Sequence, residues 1–206
     1  MNRQYPTNIL ILICFFFFSG TGTARADSPS IVVKQFQENL LAVMKEAKTL
    51  DIKQRYRRLE PSVSRAFHLP LMTKIAAGSF WENASQEQKN LLVAAFQRMS
   101  VSTLATLFDG YSGEKFKNLG ETSGPRHLRL VRTEMTRPKK KSIPLTYVSK
   151  QFRNRWFLID VIVDDGISEL KVRRSEYRQI LSQQGIDGLI TALNKKADEL
   201  TKPQQN

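Results

Sequence analysis

Hydrophobic residues recur along the first half of the chain with the period of a helix. Val32, Phe36, Leu40, Val43 and Ala47 follow at intervals of four, four, three and four, one apolar stripe on a helix from Pro29 to about Lys48. Ser28 precedes it as a cap, and Pro29 takes the first helical position, where its missing N–H is no loss. Ile52, Tyr56 and Leu59 mark a shorter helix capped by Asp51 and stopped by Pro61. Leu71, Met72 and Ile75 suggest a third helix from Pro70, closed by Gly78, with Phe80 and Trp81 in a connecting segment. Ser85 and Gln88 then form a capping box ahead of a long helix over 86–109. Leu92, Phe96, Met99, Thr103 and Leu107 make its stripe, and Val93, Ala95, Leu104 and Phe108 widen it. So wide an arc suits a helix that faces both a core and a second apolar volume.

After Gly110 the period changes. Gly113, Gly120, Gly124 and Pro125 punctuate short runs, and segments 115–122, 127–137, 142–153 and 156–164 are spaced as successive antiparallel strands. Pro138 to Lys141 supplies one hairpin tip and Asn154 another. In the last strand Phe157, Ile159, Val161 and Val163 alternate with Trp156, Leu158, Asp160 and Ile162, so both faces are apolar and a central, doubly covered place is expected. The chain returns to helix with Ile167, Leu170, Tyr177 and Leu181 on one face, breaks at Gly185, and ends in a second helix to Leu200. The predicted class is α+β: a helical N-terminal half and C-terminal helices packed on a curled four-stranded antiparallel sheet that encloses an apolar cavity.

The first residues stand outside that pattern. Ile9 to Phe18 is an unbroken apolar run behind Arg3, and it leads through small residues to Ala24-Arg25-Ala26, the form of a secretory signal peptide cleaved after Ala26. A run of ten falls well short of the ~20 residues that span a bilayer. The expected organisation is a signal peptide over 1–26, one domain over 27–201 and a flexible tail over 202–206. Residues 1–26 hold two basic and no acidic residues, so removing them from 32 basic and 19 acidic residues leaves +11. They also hold the one cysteine, Cys14, so the exported chain depends on burial and not on disulfides. Outside the cytoplasm, that charge points to anionic headgroups, envelope polymers or an acidic protein face, and away from nucleic acid.

Catalytic chemistry is sparse. Gly110-Tyr111-Ser112-Gly113 is one residue short of a nucleophile elbow and follows a helix, not a strand. His68 and His127 are far apart, and Asp164-Asp165-Gly166 lacks the alternating oxygen ligands of a calcium loop. No metal, cofactor or catalytic residue is expected. Asp160, on an otherwise apolar strand, calls for a partner, and Arg174, on the apolar stripe of the following helix, is the expected one in a structural ion pair. Basic clusters fall at Arg55, Arg57 and Arg58, at Arg137 with Lys139, Lys140 and Lys141, and at Arg173 with Arg174. The lysines at the hairpin tip are candidates for docking to an anionic membrane or partner, where each contributes ~1 kcal/mol.

Three segments carry a resemblance: FHLPLMTKIAAGSFW (67–81), SQEQKNLLVAAFQRMSVSTLATLFDGYSGEKF (85–116) and WFLIDVIVDDGISELKVRRSEY (156–177). In order and in spacing they resemble the MlaC family of toluene-tolerance auxiliary proteins, and FDGYSGEKF and ISELKVRRSEY are most similar to its hopanoid-associated branch, HpnM. Where the family pattern commonly has Asp after the Phe, this chain has His68. The resemblance implies a periplasmic lipid carrier, not an enzyme, that shuttles phospholipid or a hopanoid-type lipid between an inner-membrane ABC transporter and an outer-membrane acceptor, as a monomer. Two other readings of the residues stay open: an envelope adaptor whose core is simply filled, and a small enzyme on a cone-shaped α+β fold. A lipid pocket between the long helix and one sheet face would be lined by Met72, Ile75, Phe96, Met99, Leu104, Phe108, Val131, Met135, Leu145 and Tyr147.

Overall fold

The computed structural model of the chain describes residues 28–164 and 166–202. The proposed signal peptide, with its cleavage site, and the last four tail residues lie outside them. Helix α1 (Pro29–Glu46) begins at Ser28, whose side chain accepts from the Ile31 N–H, and buries Val32, Val33, Phe36, Leu40 and Val43. Helix α2 (Ile52–Ala66) opens on a capping box between Asp51 and Gln54 and runs through Pro61. Proline was expected to stop it. The ring costs one backbone hydrogen bond, but Pro61 lies on the exposed side, and Ser62, Val63 and Ala66 beyond it are buried. Burial of that continued face outweighs the local defect.

His68 starts α3 (Leu69–Ala77) by accepting the Leu71 N–H on its side chain. Phe80–Asn83, expected as a connection, forms the one-turn helix α4. Helix α5 (Gln86–Leu107) carries the Ser85–Gln88 capping box where the sequence places it. Strands β1 (Lys115–Ser123), β2 (Arg129–Arg137), β3 (Lys140–Phe152) and β4 (Arg155–Val163) pair antiparallel in chain order. A fifth strand, β5 (Ile167–Ser168), adds to β4, so the open sheet has five strands and not four. Two residues are too few to leave an alternation in the sequence.

Strand β4 is covered, yet not because it is central. It lies fourth of five, with only β5 and a single parallel bridge from Phe67 to Leu158 beyond it. Its two apolar faces are explained by α1, α2, α3 and α6, all of which touch it. Helix α6 (Glu169–Leu200) consists of two helical stretches that meet at a kink at Gly185, where the sequence places the break. Gly185 makes the kink at φ 65 and ψ −161, a conformation that a side chain would strain. The core is one contiguous cluster, from Val33 and Phe36 of α1 through Leu59, Leu92, Phe96 and Val101 to Val131, Tyr147, Leu158, Leu189 and Leu193.

Candidate functional site

Helix α1 lies across β1, β2 and β4, while α5 packs chiefly on α2, α3 and α6. That arrangement corrects the expected pocket, which set α5 directly against the sheet. Phe36 meets Phe67 edge-on at 5.0 Å and Tyr147 at 6.3 Å, so the first helix is anchored to β3 by aromatic edges. Between them lies a buried polar cluster. Gln37 donates from Nε2 to Thr133 Oγ1 at 3.0 Å and to the Tyr147 hydroxyl at 3.3 Å, and Thr133 donates to the Leu145 carbonyl at 3.3 Å. Burial pushes the Tyr147 phenol up to about 12, against the opposing pull of the Gln37 hydrogen bond. Tyr177 is raised by the same cause, and its hydroxyl has no hydrogen-bond partner among the described residues.

The ten residues proposed to line a lipid pocket divide into two sets. Phe96, Met99, Val131 and Tyr147 are part of the closed core, and Met72, Ile75, Leu104, Phe108 and Leu145 are partly buried against it. Met135 is half-buried on β2 opposite Phe116 and Ile143. Nine of the ten thus belong to one apolar volume or its margin. None of them lines either of two surface depressions that lie elsewhere.

The larger depression, about 490 Å³, is bordered by Asp51, Lys53, Arg55 and Asp109 at the ends of α2 and α5. Arg55 is structural: it donates to the Ala105 carbonyl at 2.9 Å and the Leu50 carbonyl at 2.7 Å, tying the ends of α5 and α1 together. The smaller one, about 330 Å³, lies between α1 and α2, with Phe36 and Ala66 in its lining and Arg65 and Arg155 among its polar groups. Sequence reasoning passed over both arginines. Arg65 sits at the end of a helix and Arg155 just past a turn, and only the fold joins them.

The expected basic clusters come apart. Arg58 pairs with Glu46 at 2.5 Å, and Arg173 with Glu176 at 2.9 Å, while Arg57 is exposed. Pro138 and Lys139 form the β2–β3 turn, and Lys139, Lys140 and Lys141 are all exposed. Asp160 and Arg174 do not pair. The Asp160 carboxylate accepts from Ser168 Oγ at 2.5 Å and from the Leu170 N–H at 3.0 Å, so the turn into α6 satisfies it locally. Arg174 is exposed and lies beside Gly78. The i+4 spacing from Leu170 was expected to set Arg174 on the apolar stripe, but it lies off the buried face that Leu170 and Tyr177 share.

His68 is held at a corner of the sheet. Its ring stacks on Phe152 at 3.9 Å and meets Phe157 edge-on at 5.4 Å, its backbone N–H donates to the Leu158 carbonyl at 2.9 Å, and its ring Nδ1 accepts from the Leu71 N–H at 3.1 Å. Burial, with Lys150 nearby, holds its pKa below the usual 6.5. An aspartate at this position would fill the same capping role. No group of three His, Cys, Asp or Glu side chains fit for a metal occurs among the described residues, and no described helix is long and apolar enough to cross a membrane.

The sequence profile described as MlaC protein matches residues 34–195. Among solved structures, the chain is similar to a phospholipid-binding protein from Ralstonia solanacearum, determined in complex with a phospholipid, at 18% identity and a TM-score of 0.75. That likeness, which is one of fold, covers 85% of this chain and 100% of the other. No curated protein matches the sequence.

Proposed function

The chain belongs to the MlaC family, and on that premise we propose that it is a periplasmic lipid carrier. The observation that carries this reading is the family match over residues 34–195, to which the fold shared with a phospholipid-binding protein adds support. The physical case is direct. Each exposed methylene costs ~0.8 kcal/mol, so a lipid with two chains of about fifteen carbons loses roughly 20 kcal/mol in an aqueous gap. A protein that parts its own core around those chains removes the cost.

The route in follows from the layering. Helix α5 is bound mainly to other helices, so it can shift relative to the sheet without breaking strand pairing. Met72, Leu104, Phe108 and Leu145, partly buried at the margin, would meet the acyl chains first, and Met99 would repack around them. The finer form of the proposal has the carrier move lipid between an inner-membrane ABC transporter and an outer-membrane acceptor. A hopanoid cargo is suggested by the likeness of FDGYSGEKF and ISELKVRRSEY to the hopanoid-associated branch.

A second reading rests on the closed core: an envelope adaptor that never opens. Native mass spectrometry of the purified protein separates the two. A lipid-sized mass increment that organic extraction removes supports the carrier, and only the bare chain mass in repeated preparations overturns it. N-terminal sequencing of the same sample would begin at Asp27 if cleavage follows Ala26.

A further inference from the structure

We propose that the groove between α1 and α2 is an anion site that takes a phosphate group. Two guanidinium groups line it, Arg65 and Arg155, and none of its lining residues is acidic. The acids of the two helices are engaged elsewhere: Glu38 with Lys34, Glu46 with Arg58, and Glu60 with Gln97. Neither arginine has a carboxylate partner among the described residues, and the Arg65 side chain donates to none of them. Like charges are thus gathered in a hollow without a counter-charge, which raises the local potential for an anion.

Arg155 is already held in place. It donates to the Arg65 carbonyl at 2.6 Å, and its guanidinium lies 4.6 Å from the centre of the Phe157 ring. A fixed fork loses little freedom on binding, and its remaining N–H groups stay available. Ser62, also in the lining, is only 4% exposed, and its hydroxyl makes no hydrogen bond to a described residue. That hydroxyl is a further donor on the groove wall. Gln35 and Asn39 add amides at the rim, and Phe36 contributes apolar lining.

Phosphate is favoured over carboxylate by the number of donors. A carboxylate is satisfied by one guanidinium fork, whereas two forks and a hydroxyl suit a group that offers three oxygens. A volume of about 330 Å³ accommodates more than the phosphate itself, so an ester of phosphate fits as well as the free ion. The site does not depend on the carrier reading, since none of the residues proposed to line the lipid pocket lines this groove.

Calorimetric titration at low ionic strength tests it, with three probes: inorganic phosphate, glycerophosphoglycerol, and dihexanoyl phosphatidylglycerol below its micellar concentration. Wild type should bind at least one of them saturably. Arg65→Gln and Arg155→Gln should each weaken binding about tenfold, the loss expected of one charge-assisted contact. Arg57→Gln, on the same helix but outside the groove, should leave binding unchanged. Affinity confined to inorganic phosphate identifies the free ion as ligand, and affinity that appears or rises with the short-chain lipid identifies a headgroup. No saturable binding, or an equal loss in Arg57→Gln, overturns the proposal. Arg65→Gln breaks no side-chain hydrogen bond or ion pair to a described residue, so its result stands even if Arg155→Gln unfolds. Lipid retention by native mass spectrometry is a separate readout, so either idea can fail without the other.

Discussion

Gln37 donates a 3.0 Å hydrogen bond to Thr133 across the seam between α1 and β2, and the same amide reaches the Tyr147 hydroxyl of β3. These contacts are the buried polar link between α1 and the sheet, which Ser30 supplements at the margin by donating to Glu121 of β1 at 2.8 Å. Gln37→Leu would leave two buried hydroxyls without that donor and should cost about 1–3 kcal/mol in urea melts. Adding Thr133→Val and Tyr147→Phe should recover most of the loss, because an apolar interface of the same shape leaves nothing unsatisfied. A triple variant less stable than the single one would show that the cluster is held by more than these bonds.

Tyr147 has an alkaline consequence. Its phenol is pushed up from 10.0 to about 12 in the fold, so the unfolded chain releases its proton first as pH rises. Its contribution is therefore full below pH 10 and is lost between 10 and 12, at about 1.4 kcal/mol for each unit of difference. Tyr177 adds in the same direction. Tyr147→Phe should flatten the fall in stability across that window, as followed by the melting temperature, and an unchanged slope would exclude Tyr147 as its source.

His68 acts at the other end of the pH scale. The fold holds its pKa below 6.5, and its Nδ1 can accept the Leu71 N–H only when unprotonated. The unfolded chain therefore takes up the proton first as pH falls, so stability is full above 6.5 and declines below it. His68→Asn keeps a capping side chain but does not titrate, and it should reduce the loss of stability between pH 7.5 and 5. An identical pH profile in the variant would mean that other groups govern acid sensitivity.

Sequence and structure agree where one element decides its own shape. The α1 stripe from Val32 to Ala47, the Ser85–Gln88 box and the four long strands were legible because cap, period and turn residues are local signals. Pro61 misled because its cost is local, while the burial that offsets it comes from helices met only in the fold. The site was less legible. Gln37 stands on the Val33–Leu40–Met44 face as a polar residue among apolar ones, a visible signal of a buried partner, yet Thr133 lies 96 residues away. The expected placement of α5 on the sheet gave way to α1, a choice that periodicity cannot make when both helices are amphipathic.

Asp160 and Arg174 separate two accounts of how α6 is fixed to the sheet. Since Asp160 holds Ser168 and the Leu170 N–H, Asp160→Ala should cost about 1–3 kcal/mol and loosen the start of α6. Arg174 is exposed, so Arg174→Ala should stay within about 0.5 kcal/mol of wild type. Chemical denaturation of the two variants, with hydrogen exchange over 166–176, gives the comparison. A loss at Arg174 as large as that at Asp160 would restore the ion pair.

The β2–β3 hairpin carries the last prediction. Lys139 stands at φ 57 in the turn, Lys140 and Lys141 follow it into β3, and none of the three has an acidic partner among the described residues. Their charge is free to act on something outside the chain. Near an anionic surface each contributes ~1 kcal/mol, but screening over ~8 Å at physiological salt confines the effect to close approach. The consequence is kinetic more than thermodynamic, because steering raises the rate of encounter and does not change what the core holds. Replacing all three with Gln should slow lipid transfer to liposomes containing phosphatidylglycerol several-fold at low salt, and the difference should shrink as salt rises. Lipid bound per protein should not change. Equal transfer rates at low salt would leave this hairpin as a solvated turn and place the docking surface elsewhere.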